Sequence, residues 1–279
     1  MSRTHFTEQF GRLVDIVAQL RAPDGCPWDR EQTIQSLSHF VLEEAYEVVD
    51  AIERGDLDAL REEIGDHIFE GVFLAQIAAE RQLFTVGDTL QTVADKLVRR
   101  HPHVFQTDGQ VHDAESKQRA PSAAAALERW NSLKAQDRAR AGLTHTVLGG
   151  IPGSLPALLR AFKIGKRAAG EGFDWDRAGA VIDKIEEEVA ELRRELAESP
   201  GDTARAEEEM GDVLFAIANL SRKLGIEPEA ALRKANDKFT RRFETMERAI
   251  AASARSMRDM SLEELEKQWR VAKSQLPAD

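Results

Sequence analysis

A chain of 279 residues is long for one compact domain and comfortable for two of roughly 100–150 residues each. Hydrophobic residues make up 42% and charged residues 31%, a balance that excludes a disordered or membrane-embedded chain. The formal net charge of −11 disfavours binding to nucleic-acid backbones, and the single cysteine, Cys26, permits no internal disulfide, which fits a reducing cytoplasm. The apolar runs are short and broken by charge, and the residues around Arg3, His5, Glu8 and Arg12 lack a secretory hydrophobic stretch. Few alternating β-branched runs are present, so the expected class is all-α.

Phe6 to Leu20 reads as a first helix, with Phe10, Leu13, Val14 and Val17 on one side, and the turn residues from Ala22 to Asp29 are expected to break it. Helix resumes near Thr33, carries Glu43-Glu44-Ala45-Tyr46-Glu47, and stops at Gly55-Asp56. A third helix, from Leu57 to about Arg81, holds Glu62-Glu63-Ile64-Gly65-Asp66. A fourth opens at Gly87-Asp88 and ends at His101-Pro102, because a residue before proline is pushed out of helical conformation. Residues 106–126 read as an exposed loop giving way to a helix through Trp130 to about Arg140. Gly142 to Ser154 reads as a linker.

Beyond the linker the pattern starts over. Cys26-Pro27-Trp28-Asp29 is answered by Phe173-Asp174-Trp175-Asp176, and Glu43-Glu44-x-x-Glu47 by Glu187-Glu188-x-x-Glu191. Glu62-Glu63-Ile64-Gly65-Asp66 is answered by Glu208-Glu209-Met210-Gly211-Asp212, Asp95-Lys96-x-x-Arg99-Arg100 by Asp237-Lys238-x-x-Arg241-Arg242, and the stretch at Trp130 by that at Trp269. The offsets stay close: 188−44 = 144, 212−66 = 146 and 242−100 = 142. The expected organisation is two tandem four-helix-bundle-like repeats, residues 1–142 and 143–279.

A Glu-rich run is ordinarily a solvated helix face, but a merely soluble surface has no reason to keep acid type and spacing in two places. In the second repeat Ile182, Ile185, Val189, Leu192 and Leu196 form one apolar stripe and Met210, Val213, Leu214, Ile217 and Leu220 another. If the helices pack by these stripes, Glu188, Glu191, Glu209 and Asp212 converge at the rim of the seam. Divalent cations with oxygen ligands neutralise such a cluster, so these four are the candidate metal ligands, with Glu44, Glu47, Glu63 and Asp66 as the weaker set of the first repeat. The metal would bridge phosphate oxygens while Lys184, Lys238, Arg241 and Arg242 contact the rest of a polyphosphate, touching substrate rather than holding the fold. Glu187, beside the ligand pair, is a candidate for orienting the attacking water. A glycine-rich phosphate loop and a Cys/His zinc spacing are both absent from the sequence.

These residues, together with Gly25-Cys26-Pro27-Trp28-Asp29, Arg99-Arg100-His101-Pro102-His103-Val104-Phe105 and Gly172-Phe173-Asp174-Trp175, resemble a full-length, two-repeat MazG-type nucleoside triphosphate pyrophosphohydrolase. The resemblance covers essentially the whole chain. It implies an all-α bundle, dependence on Mg²⁺ with Mn²⁺ as a possible substitute, and hydrolysis of nucleoside triphosphates between the α- and β-phosphates to a monophosphate and pyrophosphate. Carried over by position, it names Glu188, Glu191, Glu209 and Asp212 as ligands and Lys184, the stretch Arg205 to Glu208, Lys238, Arg241, Arg242 and Trp269 as nucleotide contacts. Glu188, Lys238 and Arg242 are thereby candidates for the chemistry as well. It also implies a homodimer, with neither a nucleic acid nor a membrane as partner. Narrower alternatives are a dUTP, dCTP or phosphoribosyl-ATP pyrophosphatase, and an alternative of another class is a non-enzymatic acidic interaction protein.

The repeats are not equivalent. Phe40 stands where the second repeat has Lys184, Ala94 where it has Asn236, Glu70 where it has Ala216 and Gly71 where it has Ile217. The working site is therefore expected in residues 143–279, and the first repeat's site is expected to be weakened or specialised.

Overall fold

A computed structural model describes residues 3–112, 122–140, 146–198, 203–253 and 255–275. The chain divides into two compact units, residues 1–141 and 142–279. Regular structure among the described residues is helical, with one isolated bridge between Phe105 and Val111.

The first unit contains α1 (Arg3–Leu20), α2 (Pro27–Glu31), α3 (Ser38–Arg54), α4 (Leu57–Glu80), α5 (Val86–Arg100) and α6 (Ala123–Arg140). Gly55, at φ 68°, ends α3 in the left-handed conformation that glycine adopts without penalty. Asp56 then starts α4, its side chain accepting the Ala59 N–H at 3.0 Å. This two-residue connection folds α3 back along α4 as an antiparallel pair. Thr85 and Asp88 form a reciprocal capping box at the start of α5. Val17, Leu37, Val72, Phe73 and Ile77 make the buried core, with Phe10, Leu13, Phe40 and Phe69 packed around it. Arg21 lies over the Phe73 ring at 5.5 Å and ion-pairs with Glu80 at 2.8 Å.

Two expectations need correction. The stretch Ala22–Asp29 is not wholly turn, because Pro27 occupies the first helical position, where its missing N–H costs nothing, and opens α2. The next helix begins at Ser38 rather than near Thr33: the Ser36 hydroxyl accepts the Thr33 N–H at 2.9 Å and the Thr33 hydroxyl accepts the Ser36 N–H at 3.0 Å, a local turn that competes with helix. Within the expected loop at 106–126, residues 113–121 lie outside the described residues, as do 142–145 of the expected linker.

The second unit contains α7 (Ala157–Gly170), α8 (Ala178–Glu198), α9 (Thr203–Lys223), α10 (Pro228–Ala252) and, after a single 3-10 turn at Met257–Asp259, α11 (Leu262–Gln275). Here α8 pairs with α9 as α3 does with α4, and α7 lies against α9. Asp174, in the turn after α7, ion-pairs with Arg222 at 2.5 Å and Lys223 at 2.7 Å, which ties that turn to the end of α9. The Arg222 and Lys223 contacts hold the Asp174 carboxyl down at about 2. Met246, Ile250 and Ala272 form a separate buried cluster between α10 and α11.

The apolar stripes pack only in part as the sequence pattern implies: Val213 is buried and Ile185, Leu192 and Leu220 are half-buried, whereas Ile182, Val189 and Leu196 on α8, and Met210, Leu214 and Ile217 on α9, are exposed, and Val181 and Ala216 are buried beside them. The face of α8 turned inward carries Val181 and Glu188 instead. The buried positions of α9 are mostly small or polar, Ala216, Ala218 and Asn219 among them, and the larger Met210, Leu214 and Ile217 stay outside.

Close approach of α7 to α9 depends on Gly165, which is buried and where an added Cβ would overlap the side-chain oxygen of the buried Asn219. Gly165→Ala is expected to lower stability by about 1–3 kcal/mol through overpacking. Gly11→Ala, in α1 with open space around it, should raise it by about 0.5–1 kcal/mol. Urea unfolding of the two variants checks both signs.

Candidate functional site

Each antiparallel pair of long helices brings carboxylates together. In the second unit Glu188, Glu191 and Glu209 present oxygens that all lie within 4.8 Å of one another. Glu188 is only 6% exposed, so the cluster sits in the seam rather than at its rim. Asp212 is one turn along α9, close enough for its charge to act on Glu209. Burial first, then the charges of Glu191, Glu188, Asp212 and Glu195, raise the Glu209 carboxyl above its ordinary value. Three of the four expected ligands thus meet directly and the fourth flanks them.

Lys184 closes one side of this cluster. Its ammonium contacts Glu187 at 2.7 Å and Glu188 at 2.8 Å, and these hydrogen bonds, Glu187's first, raise its pKa. A cation is therefore built against the most buried ligand carboxylate, with Glu187 on its solvent side. Arg205 is exposed and reaches Glu195 at 3.5 Å, at the far end of the same acidic face. Glu208 is exposed on α9.

The basic residues of α10 differ in exposure. Lys238 and Arg241 are exposed, but Arg242 is 9% exposed on a helix whose buried residues include Met246 and Ile250. Successive residues lie 100° apart on a helix, so Arg241 and Arg242 cannot both point to solvent when Arg242 shares its side with an apolar core. Trp269 packs into the cluster between α10 and α11, its ring 5.0 Å from that of Phe239.

The first unit repeats the acids with different neighbours. Glu44, Glu63 and Asp66 present oxygens within 4.8 Å of one another, and the charge of Glu47 acts on Glu63. Carboxyls this close favour a proton or a cation between them. Burial first, then the surrounding acids, raise Glu44 and Glu63 above the ordinary carboxyl range. Phe40, in place of a lysine, packs on the core and against the Trp28 ring at 5.8 Å. Arg99 and Arg100 are both held by Asp137, at 3.0 and 2.9 Å, and Arg100 lies over Trp130 at 5.2 Å.

A residue without an assigned role in the sequence also borders this cluster. Glu70, one turn beyond Asp66 on α4, is 5% exposed, and burial followed by the charges of Glu44 and Asp66 pushes its carboxyl up to about 6. The signal for it was an acid on a helical face otherwise turned to the core.

All donors in both clusters are carboxylate oxygens, the set suited to Mg²⁺, Mn²⁺ or Ca²⁺. The side-chain oxygens Glu44 Oε2 and Glu70 Oε2 are buried with no hydrogen-bond partner, as expected where a cation supplies the missing interaction. The residues present fit a divalent metal ion.

The burial of Arg242 changes the expected effect of removing it. Arg242→Ala is expected to cost about 2 kcal/mol of stability, since the residue has bonding partners in the fold and its stem packs inside. Lys238→Ala should leave the melting temperature unchanged. Thermal melts of both variants distinguish a residue that holds the fold from one that faces solvent.

A family model, that of the MazG nucleotide pyrophosphohydrolase domain, matches the chain twice, at residues 32–105 and 178–246. The two matched segments contain α3 to α5 and α8 to α9, and with them both carboxylate clusters. The chain is similar to a nucleoside triphosphate pyrophosphohydrolase of Escherichia coli (strain K12), 47% identical over 268 residues, which are 96% of this chain and 98% of the relative. A nucleoside triphosphate pyrophosphohydrolase/pyrophosphatase MazG of Thermotoga maritima is 40% identical over 264 residues, 95% of each chain. A nucleoside triphosphate pyrophosphohydrolase of Mycobacterium tuberculosis is 37% identical over 164 residues, 58% of this chain and 46% of the relative. With two matched domains, each built around its own helix pair and acidic seam, this chain belongs to the MazG nucleotide pyrophosphohydrolase family.

Proposed function

We propose that this protein is a nucleoside triphosphate pyrophosphohydrolase that converts a triphosphate and water to a nucleoside monophosphate and pyrophosphate at the second unit's site. The observation that carries the reading is Lys184, fixed 2.8 Å from the buried Glu188 at the edge of a three-carboxylate cluster. Acids alone would repel a polyphosphate. Acids loaded with a divalent cation and bordered by a lysine attract one.

Glu188, Glu191, Glu209 and Asp212 would hold Mg²⁺, or Mn²⁺ in its place. When bound, the metal supplies Lewis-acid stabilisation of charge on phosphate oxygens. The protein's own part is positional. Lys184 contacts the phosphate chain, while Arg205, Glu208, Lys238 and Arg241 are solvent-facing groups available to the rest of the nucleotide. Arg242 acts from within α10 by fixing that helix, and Trp269 by fixing α11 against it. Glu187 orients a water and accepts its proton as the water oxygen bonds to the α-phosphorus. The α–β bridging P–O bond breaks, and its oxygen leaves on pyrophosphate.

The exposed apolar stripes support a homodimer. Ile182, Val189 and Leu196 recur every seven residues along α8, and Met210, Leu214 and Ile217 run beside them on α9. A second copy presenting the same faces would bury them. Val189→Glu with Leu214→Glu should convert the dimer to monomer in analytical ultracentrifugation, and an unchanged sedimentation coefficient would rule out this interface. We propose a cytoplasmic location because the single cysteine, Cys26, suits a reducing compartment; no described helix is long and apolar enough to cross a membrane.

Product analysis tests the chemistry. With ATP and Mg²⁺ the expected products are AMP and pyrophosphate, and excess chelator should abolish their release; ADP and phosphate would overturn the proposal. Asp212→Asn should reduce pyrophosphate release at least 100-fold, in keeping with loss of a preorganised electrostatic contact. Asp66→Asn should retain most of the activity, and the opposite ranking would move the catalytic site to the first unit.

A further inference from the structure

Three features of the first unit differ from the second at equivalent positions, and all three change charge or satisfaction in the same direction. Phe40 replaces Lys184, which removes the cation that caps the buried ligand carboxylate. Glu44, at the place of Glu188, is left with a buried Oε2 that has no hydrogen-bond partner. Glu70 replaces Ala216 and adds a fifth carboxylate to Glu44, Glu47, Glu63 and Asp66.

The placement of Glu70 is what separates this cluster from a solvated acidic patch. A carboxylate that is 95% removed from solvent ordinarily has a positive partner or several donors, since burying it alone costs several kcal/mol. Its Oε2 has neither, and the groups that act on it electrostatically are Glu44 and Asp66, two members of the triad whose oxygens lie within 4.8 Å of one another. A hard cation answers an orphaned buried oxygen among carboxylates, and unlike a proton it engages several of them at once. The same charge balance disfavours a nucleotide. A metal–triphosphate complex carries net negative charge, and this site has one acid more and one lysine fewer than its counterpart.

We infer that Glu70 is an additional ligand that makes the first unit's cluster a divalent-cation site which fills without nucleotide, in contrast to a second-unit site completed by substrate phosphates. This rests on the proposed function only in taking the second unit as the nucleotide site. The cation holds α3 and α4 together through Glu44 on one helix and Glu63, Asp66 and Glu70 on the other. The first repeat is thereby specialised as a cation-stabilised half.

The test is titration of Mn²⁺ alone, without nucleotide, into full-length protein carrying Glu209→Gln and Asp212→Asn, so that binding reports the first unit. Calorimetry should show Mn²⁺ bound by this background, and Glu70→Gln or Glu70→Ala added to it should weaken that binding about 10–100-fold, the usual effect of losing a group from a metal's coordination environment. The Mn²⁺-induced rise in melting temperature should shrink in parallel. In the metal-free state both variants should melt at or above the temperature of the background, because an orphaned buried carboxylate has been removed. The inference is overturned if the background binds no Mn²⁺ until ATP is added, if the Glu70 variants bind with unchanged affinity, or if both fail to fold. Loss of Mn²⁺ affinity on removing Glu70 in this background, together with no pyrophosphate release by the unsubstituted protein, would refute the proposed function and leave this inference standing. Active enzyme with Glu70-independent binding would do the reverse.

Discussion

Like-charge repulsion inside a helix seam is the constraint on which each unit is built. Carboxylates whose oxygens lie within 4.8 Å of one another repel, and each cluster holds three such groups, one side of it partly shielded from water. That repulsion favours whatever neutralises it. The ways the molecule offsets it are visible in turn: an ammonium on Glu188 and carboxyls whose proton affinity is raised. A bound divalent cation is the remaining means, and the only one that removes repulsion among several carboxylates at once.

Placing acids in the seam has a consequence for the rest of each helix. A helix has room for one inward face, and on α8 that face holds Val181 and Glu188. Larger apolar residues, Ile182, Val189 and Leu196, must then lie outside. The same inversion occurs on α3 and α4, where Leu42, Tyr46, Ile64 and Ile68 are exposed while Glu70 is buried. Each pair therefore has two working surfaces, an inner one for a cation and an outer apolar one.

Much of this was legible in the chain. The helix ends followed from Gly55-Asp56 and from His101 before Pro102, where local sterics decide the outcome. The acidic clusters were legible because two repeats kept acid type and spacing at offsets of 144 and 146, and Glu188, Glu191 and Glu209 do meet in the structure. What failed was orientation. Hydrophobic periodicity assigns the apolar stripe to the inside of a monomer, and it has no means of seeing that the inside is reserved for carboxylates. Arg242 failed for a related reason: its spacing from Lys238 places both on one side of α10, but only packing reveals that this side curves from solvent into the core between Lys238 and Met246. Glu70 was visible as a substitution and silent as to role, since its burial depends on how α4 turns against α3 and α1.

A tandem repeat offers a physical route by which two copies of one seam acquire different tasks. A seam completed by substrate must remain underfilled, with enough negative charge to hold a metal yet a cation such as Lys184 beside it, so that phosphate oxygens find both partners. A seam that holds its cation permanently has the opposite requirement: every coordination position supplied by protein, and no group that welcomes an anion. Phe40 and Glu70 move the first unit toward the second condition by a loss and a gain at one cluster, without altering the helix pair that carries them. On the proposed reading, the first unit's cation would serve cohesion of α3 and α4, whereas in the second unit the charge of a bound cation, with Lys184 beside it, would make phosphate binding favourable.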